Sequence, residues 1–90
     1  MATEVIKNYM NDCVEDALDD ILKNMHSCTC DKCRLDVTAI ALNSLPAKYV
    51  VTKKGELYTK IASLRQQFEV DIVAALSKAV VIVSKNPRHD

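Results

Sequence analysis

Apolar residues recur at three- and four-residue intervals along most of this chain, with polar residues filling the gaps. Val5, Ile6, Tyr9, Met10, Cys13, Val14, Ala17, Leu18, Ile21, Leu22 and Met25 form the first stripe, and Asp12, Glu15, Asp16, Asp19 and Asp20 lie between them. The spacing predicts an amphipathic helix from about residue 3 to 25. Cys13 falls inside the stripe, where a thiol packs as a small hydrophobe. Asp31 is the expected cap of a second helix over roughly 32–45. Its apolar set, Leu35, Val37, Ala39, Ile40, Ala41, Leu42 and Leu45, wraps most of the circumference and predicts burial in the middle of the fold. Pro46 ends that helix, and residues 46–55 read as the one real loop. After Gly55, the positions Leu57, Ile61, Leu64, Phe68, Ile72, Ala75, Ala79 and Ile82 step by three or four toward Asn86-Pro87. That run predicts one helix over 56–84.

These elements give an all-α fold class, a single small helical domain over residues 1–90 with a long C-terminal helix. One Gly, two Pro and no Trp fit helices and exclude long loops. A helix of about 29 residues spans roughly 43 Å, whereas a compact domain of this length is about 30 Å across. Either the helix breaks near Glu69-Val70, or its exposed stripe is buried against a second copy. The spacing, close to the seam period of paired helices, favours a homodimer.

The chemistry concentrates in Cys28-Thr29-Cys30-Asp31-Lys32-Cys33, three of the four cysteines within six residues. Three crowded thiolates repel one another unless a soft cation sits among them, and tetrahedral zinc at about 2.3 Å from each sulfur suits the group. Redox-sensing thiols and cysteines without a special role are the competing readings, and iron-sulfur ligation lacks a fourth well-placed thiolate. Met1 to Lys7 hold no apolar run of signal-peptide length and no stretch reaches a membrane span, so the expected compartment is the cytoplasm. A structural disulfide is not expected in that reducing setting.

Net charge is zero but unevenly spread. Residues 1–31 hold seven acids against two bases, and residues 32–90 ten bases against five acids. A solvated acidic helix face explains the first half, and a phosphate-bearing ligand near the basic half is the sharper expectation. The lone glycine excludes a phosphate-cradling glycine loop, and neither HExxH nor GxSxG occurs, so no enzymatic activity is expected. Zero net charge without a basic-aromatic stripe argues against direct nucleic-acid binding.

Asn8-Tyr9-Met10, Cys28-Thr29-Cys30-x-x-Cys33, Asp36-x-x-Ala39-x-Ala41-Leu42-Asn43-x-Leu45-Pro46-x-x-Tyr49-Val50 and Ser84-x-Asn86-Pro87-Arg88 together resemble the late competence development family, ComFB. The resemblance implies an all-α symmetric homodimer, zinc held by cysteines, and association with DNA-uptake genes without known catalysis. Some members of that family are described as receptors for cyclic dinucleotides such as cyclic di-GMP. The family pattern places a further cysteine shortly after the Pro-Arg near the C-terminus, where this chain has Pro87-Arg88-His89-Asp90. His89 therefore ranks first as fourth ligand beside Cys28, Cys30 and Cys33, ahead of His26 and water. Cys13 ranks last, because about 18 Å of helix separates it from the cluster's end of the chain. For a cyclic dinucleotide, Asn43 is the expected hydrogen-bonding group and Tyr49 the stacking ring. Lys48, Lys53, Lys54 or Arg65 would meet phosphate. The alternative is a structural adaptor that contacts DNA-uptake proteins.

Overall fold

The computed structural model describes residues 4–53 and 57–86, with the backbone alone at residues 52 and 57–60. Strand β1 (Glu4–Asn8) leads into helix α1 (Tyr9–Asn24), followed by α2 (Asp31–Ser44), strand β2 (Tyr49–Lys53), α3 (Leu57–Gln67) and α4 (Glu69–Lys85). Helices α2, α3 and α4 pack against α1, and α2 also lies along α4.

The apolar stripe of α1 is realised from Tyr9 onward: Tyr9, Met10, Cys13, Val14, Ala17, Leu18 and Leu22 are all buried. They meet Cys33, Val37 and Ala41 of α2 and Ile72, Leu76, Ala79, Val80 and Val83 of α4. Only the four-residue row of α2 is buried. Leu35 is 66% exposed, so α2 turns one stripe inward and is not enclosed on all sides.

Three expectations are corrected. The fold is not all-α, because residues 4–8 and 49–53, expected as helix and loop, pair as an antiparallel ribbon with Ile6 opposite Val51 and Glu4 opposite Lys53. Val5 and Ile6 satisfy a helical spacing with Tyr9 and Met10, but both are β-branched and so is the Val50-Val51-Thr52 run they face. Asn8 marks the change of element. Its Oδ1 accepts from Met10 N–H at 3.2 Å as helix cap and from Lys48 N–H at 2.8 Å. The helix expected over 56–84 is interrupted at Phe68, whose φ of −109° and ψ of 21° leave the helical basin. This bend lays Ile61 and Leu64 of α3 and Phe68 itself against the same core as Ile72 and Leu76. Most of the stripe, from Ile61 to Ala79, is therefore covered within one chain, whereas Ile82 remains 46% exposed. Lys48 Nζ sits 5.0 Å from the Phe68 ring centroid, a cation–π contact that holds the bend to the segment before β2. Finally, Cys30 rather than Asp31 caps α2, and Asp31 occupies its first turn, where the helix dipole favours an acid.

Candidate metal centre

The turn between α1 and α2 is built by a backbone device. Ser27 N–H donates to Leu22 C=O at 2.9 Å and His26 N–H to Lys23 C=O at 3.2 Å, the paired bonds of a Schellman ending. His26 takes the left-handed position, φ 52°, where glycine is the easier residue. The reversal carries Cys28 back over the start of α2. Cys28 Sγ accepts from Cys30 N–H at 3.5 Å, and Cys30 Sγ accepts from Cys33 N–H at 3.4 Å.

As a result the three sulfurs lie within 4.8 Å of one another. Points no farther apart than that fit inside a circle of about 2.8 Å radius, so ligation at about 2.3 Å asks each sulfur to move inward by roughly 0.5 Å. The donor set is soft and shaped for a small thiophilic cation, and the fit is good for three positions of a tetrahedron. Cys33 is 2% exposed. Burial first, then hydrogen bonds with the Cys30 and Cys28 sulfurs, push its thiol up to about 12. The helix terminus that would favour a thiolate is thus outweighed in the metal-free cluster, and a divalent cation is what would let all three sulfurs ionise together.

Among the described residues the cluster contains cysteines alone. His26 is exposed and serves as the left-handed residue of the turn. Cys13 is fully buried in the core, where its thiol donates to Ile61 C=O at 3.7 Å, and burial raises its pKa. His89 lies outside the described residues.

The residues read as ligand-binding are dispersed. Asn43 is exposed in the last turn of α2, Tyr49 is 68% exposed on β2, and Lys53 ends β2 opposite Glu4. Lys54 lies outside the described residues. The guanidinium of Arg65 is engaged by Asp16 at 2.6 Å and by Glu69 at 3.1 Å. The sequence reading missed this role for the acidic face of α1. Asp12 pairs with Lys7 at 2.9 Å, and Asp19 with Arg34 of α2, so the charge division along the chain is partly neutralised inside the fold. The imbalance between the two halves was the available signal. A cavity of about 280 Å³ between the end of α2 and α4, lined by Leu45, Pro46, Ala74, Ala75, Asp71 and Lys78, holds none of the expected ligand residues.

No helix among the described residues is long and apolar enough to cross a membrane. The sequence profile of late competence development protein ComFB matches residues 7–87. Competence protein ComFB of Bacillus subtilis (strain 168) is 31% identical over 75 residues, which is 82% of this chain and 76% of that protein. The solved structure of the late competence protein ComFB from Bacillus subtilis shares the fold, with a TM-score of 0.75 over 94% of each chain at 24% identity. A profile that runs from the ribbon through the cysteine turn to the end of α4, together with a relative matched over most of its length, establishes that the chain belongs to the late competence development protein ComFB family.

Proposed function

We propose that this competence-associated chain is a non-catalytic homodimer that holds zinc through Cys28, Cys30 and Cys33 and acts as a regulatory receptor for an anionic cyclic dinucleotide. The observation that carries the reading is the convergence of three sulfurs within 4.8 Å. Zinc held there would supply structure, tying the turn after α1 to the first turn of α2. A domain of this size buries only about 60 to 65% of its unfolded surface and gains much from such a tie.

What supports the dimer is unpartnered surface. Ile6, Tyr49 and Val51 share one face of the ribbon at 70%, 68% and 59% exposure. A two-stranded ribbon with an apolar open face is marginal unless covered. A second copy covers it symmetrically, and a two-fold symmetric ligand fits on the axis of such a seam, with the Tyr49 rings as stacking planes and Lys53 of the same face toward phosphate. Arg65, already held by two carboxylates, is the weakest of the expected phosphate partners.

The adaptor reading draws on the same apolar face, covered instead by a DNA-uptake protein. Three measurements on the purified chain test the proposal. Elemental analysis should give about one zinc per chain. Light scattering should give about 20 kDa, twice the 10.0 kDa of the chain, falling to the monomer in Val51→Glu without loss of helix. Cyclic di-GMP or cyclic di-AMP at 100 times its dissociation constant should stabilise by about 2.7 kcal/mol. A metal-free protein refutes the zinc assignment, and dimeric zinc protein that ignores both nucleotides leaves the adaptor.

A further inference from the structure

We propose that Cys28 is a peroxide-reactive thiol and Cys33 its resolving partner, so that oxidation converts the sulfur cluster into a disulfide and releases the metal. The inference deepens the zinc reading above and rests on it.

Access to the three sulfurs is graded. Cys28 is exposed, Cys30 is half-buried, and Cys33 is 2% exposed. A small oxidant in water reaches Cys28 and is kept from Cys33, the arrangement of an attacking and a resolving thiol. The two sulfurs are neighbours, within 4.8 Å, and the Cys33 thiol shares hydrogen bonds with both Cys28 and Cys30. A disulfide needs about 2.05 Å between sulfurs, so closure takes a movement of less than about 3 Å. Cys28 lies in the segment between α1 and α2 that belongs to no helix, and the movement stretches its long 3.5 Å contact from Cys30 N–H without breaking a helical hydrogen bond. Cys33 is fixed in the first turn of α2, and Cys30 is occupied as its cap. Cys13 provides an internal contrast, a fully buried thiol whose contact is the Ile61 carbonyl.

The chemistry balances with a hydroperoxide as oxidant. The Cys28 thiolate attacks one peroxide oxygen, the O–O bond breaks, and hydroxide leaves with a sulfenic acid formed at Cys28. The Cys33 sulfur, kept ionised by the cation up to this point, then attacks the Cys28 sulfur, the S–O bond breaks, a second hydroxide leaves, and the S–S bond forms. Two sulfurs have supplied the two electrons taken up by the peroxide. The cation keeps only Cys30 of its three sulfurs and dissociates, while Cys30 stays in place as the cap of α2. Thiol reductants and fresh metal reverse the sequence.

The test uses the full metal-loaded chain, hydrogen peroxide and a chromophoric zinc chelator, with intact mass and tryptic mapping as readouts. Expected is release of the bound zinc in step with a mass loss of about 2 Da, from two hydrogens relative to the reduced thiols. Trypsin cleaves between Lys32 and Cys33, so the predicted disulfide cross-links two peptides, whereas a Cys28–Cys30 bond stays within one. Cys30→Ser, which removes a ligand but leaves both reacting sulfurs, should still form the cross-link. Cys28→Ser should slow oxidation of the remaining cluster thiols by about tenfold or more. Zinc retained through an excess of peroxide, a Cys28–Cys30 bond in place of the cross-link, or equal oxidation of Cys28→Ser overturns the inference. Metal absent before any peroxide is added overturns the zinc reading and the release step with it, and elemental analysis before oxidation tells the two failures apart.

Discussion

Cys30 does two jobs that substitution can separate. Its sulfur is a candidate metal ligand, and the same sulfur caps α2 by accepting from Cys33 N–H at 3.4 Å. Serine is among the best cap residues and a poor zinc ligand, whereas alanine is neither. In the presence of chelator, Cys30→Ser should match the wild type within about 0.5 kcal/mol, and Cys30→Ala should fall below it by about 1 kcal/mol, the usual worth of a cap. With zinc at 100 times its dissociation constant, the wild type should gain about 2.7 kcal/mol over its chelated form, more at higher excess. Neither variant should gain comparably, because two thiolates cannot hold zinc at that concentration. Urea denaturation with and without chelator gives all six numbers, and for a domain of this size 1 kcal/mol is worth roughly 4 to 8 °C in Tm. A Cys30→Ser protein that still gains the full increment from zinc would refute ligation by Cys30. Equal stability of the serine and alanine variants in chelator would refute the cap.

Further outcomes follow from the same physical reasoning. His26→Gly relieves a left-handed residue at the end of α1 and should stabilise by about 0.5 to 1 kcal/mol in thermal melts, with zinc content unchanged; loss of zinc would make the imidazole a ligand. Asn8→Ala removes both the cap of α1 and the acceptor for Lys48 N–H and should cost about 2 kcal/mol, while Asn8→Asp keeps both acceptors and should stay near the wild type in urea titrations. Burial raises the Cys13 thiol above its ordinary 9.0, and the hydrogen bond to Asp12 raises Lys7 above 10.5, so the folded chain keeps protons that the unfolded chain gives up. Stability should therefore be full below about pH 9 and decline as pH rises through the folded values, and Cys13→Ala should flatten the early part of that decline in melts between pH 7 and 11.

What could be read from the sequence was whatever a local period or local crowding determines. The inward rows Cys13, Ala17 and Leu22 of α1, and Val37 and Ala41 of α2, follow from helical spacing, because a stripe of that period has one way to be buried. Chain proximity likewise brings Cys28, Cys30 and Cys33 together, since six residues cannot hold three sulfurs far apart once the first turn of α2 forms. The ribbon was not legible, because the partner of Val5 and Ile6 lies more than forty residues away and their spacing fits a helix as well. Phe68 carries no local sign of a break, since no Pro or Gly stands near it and the stripe continues in phase from Leu64 to Ile72; only the length argument, a helix of about 43 Å against a domain of about 30 Å, pointed to a break near Glu69-Val70, one residue from the bend. The expected ligand residues, chosen for chemistry rather than periodicity, were the least constrained of all, and Arg65 is held by Glu69 and by Asp16, one of the acids that charge counting had assigned to solvent.

Helix α1 is the part through which these features act on one another. Its apolar face meets α2 and α4, while its acidic face is met by Lys7 from β1, Arg65 from α3 and Arg34 from α2. Exposed pairs of this kind contribute little stability, typically up to about 1 kcal/mol each, so their main effect is to fix which neighbour sits at which point along the helix. The ribbon hangs from the N-terminal end of α1 through Asn8, and the cysteine turn from its C-terminal end through the Schellman bonds. Sixteen residues separate the two ends, about 24 Å of helix. An event at the sulfurs can reach the apolar ribbon face along α1 or along α2, which runs from the cysteine turn to the segment before β2, and small buried residues such as Ala17, Ala41 and Ala79 leave the seats between these helices and α4 closely packed. The proposed metal centre and the proposed binding face therefore sit at opposite ends of α1, and the first would govern the second only if that helix has two seats against α2 and α4 that both ends bias.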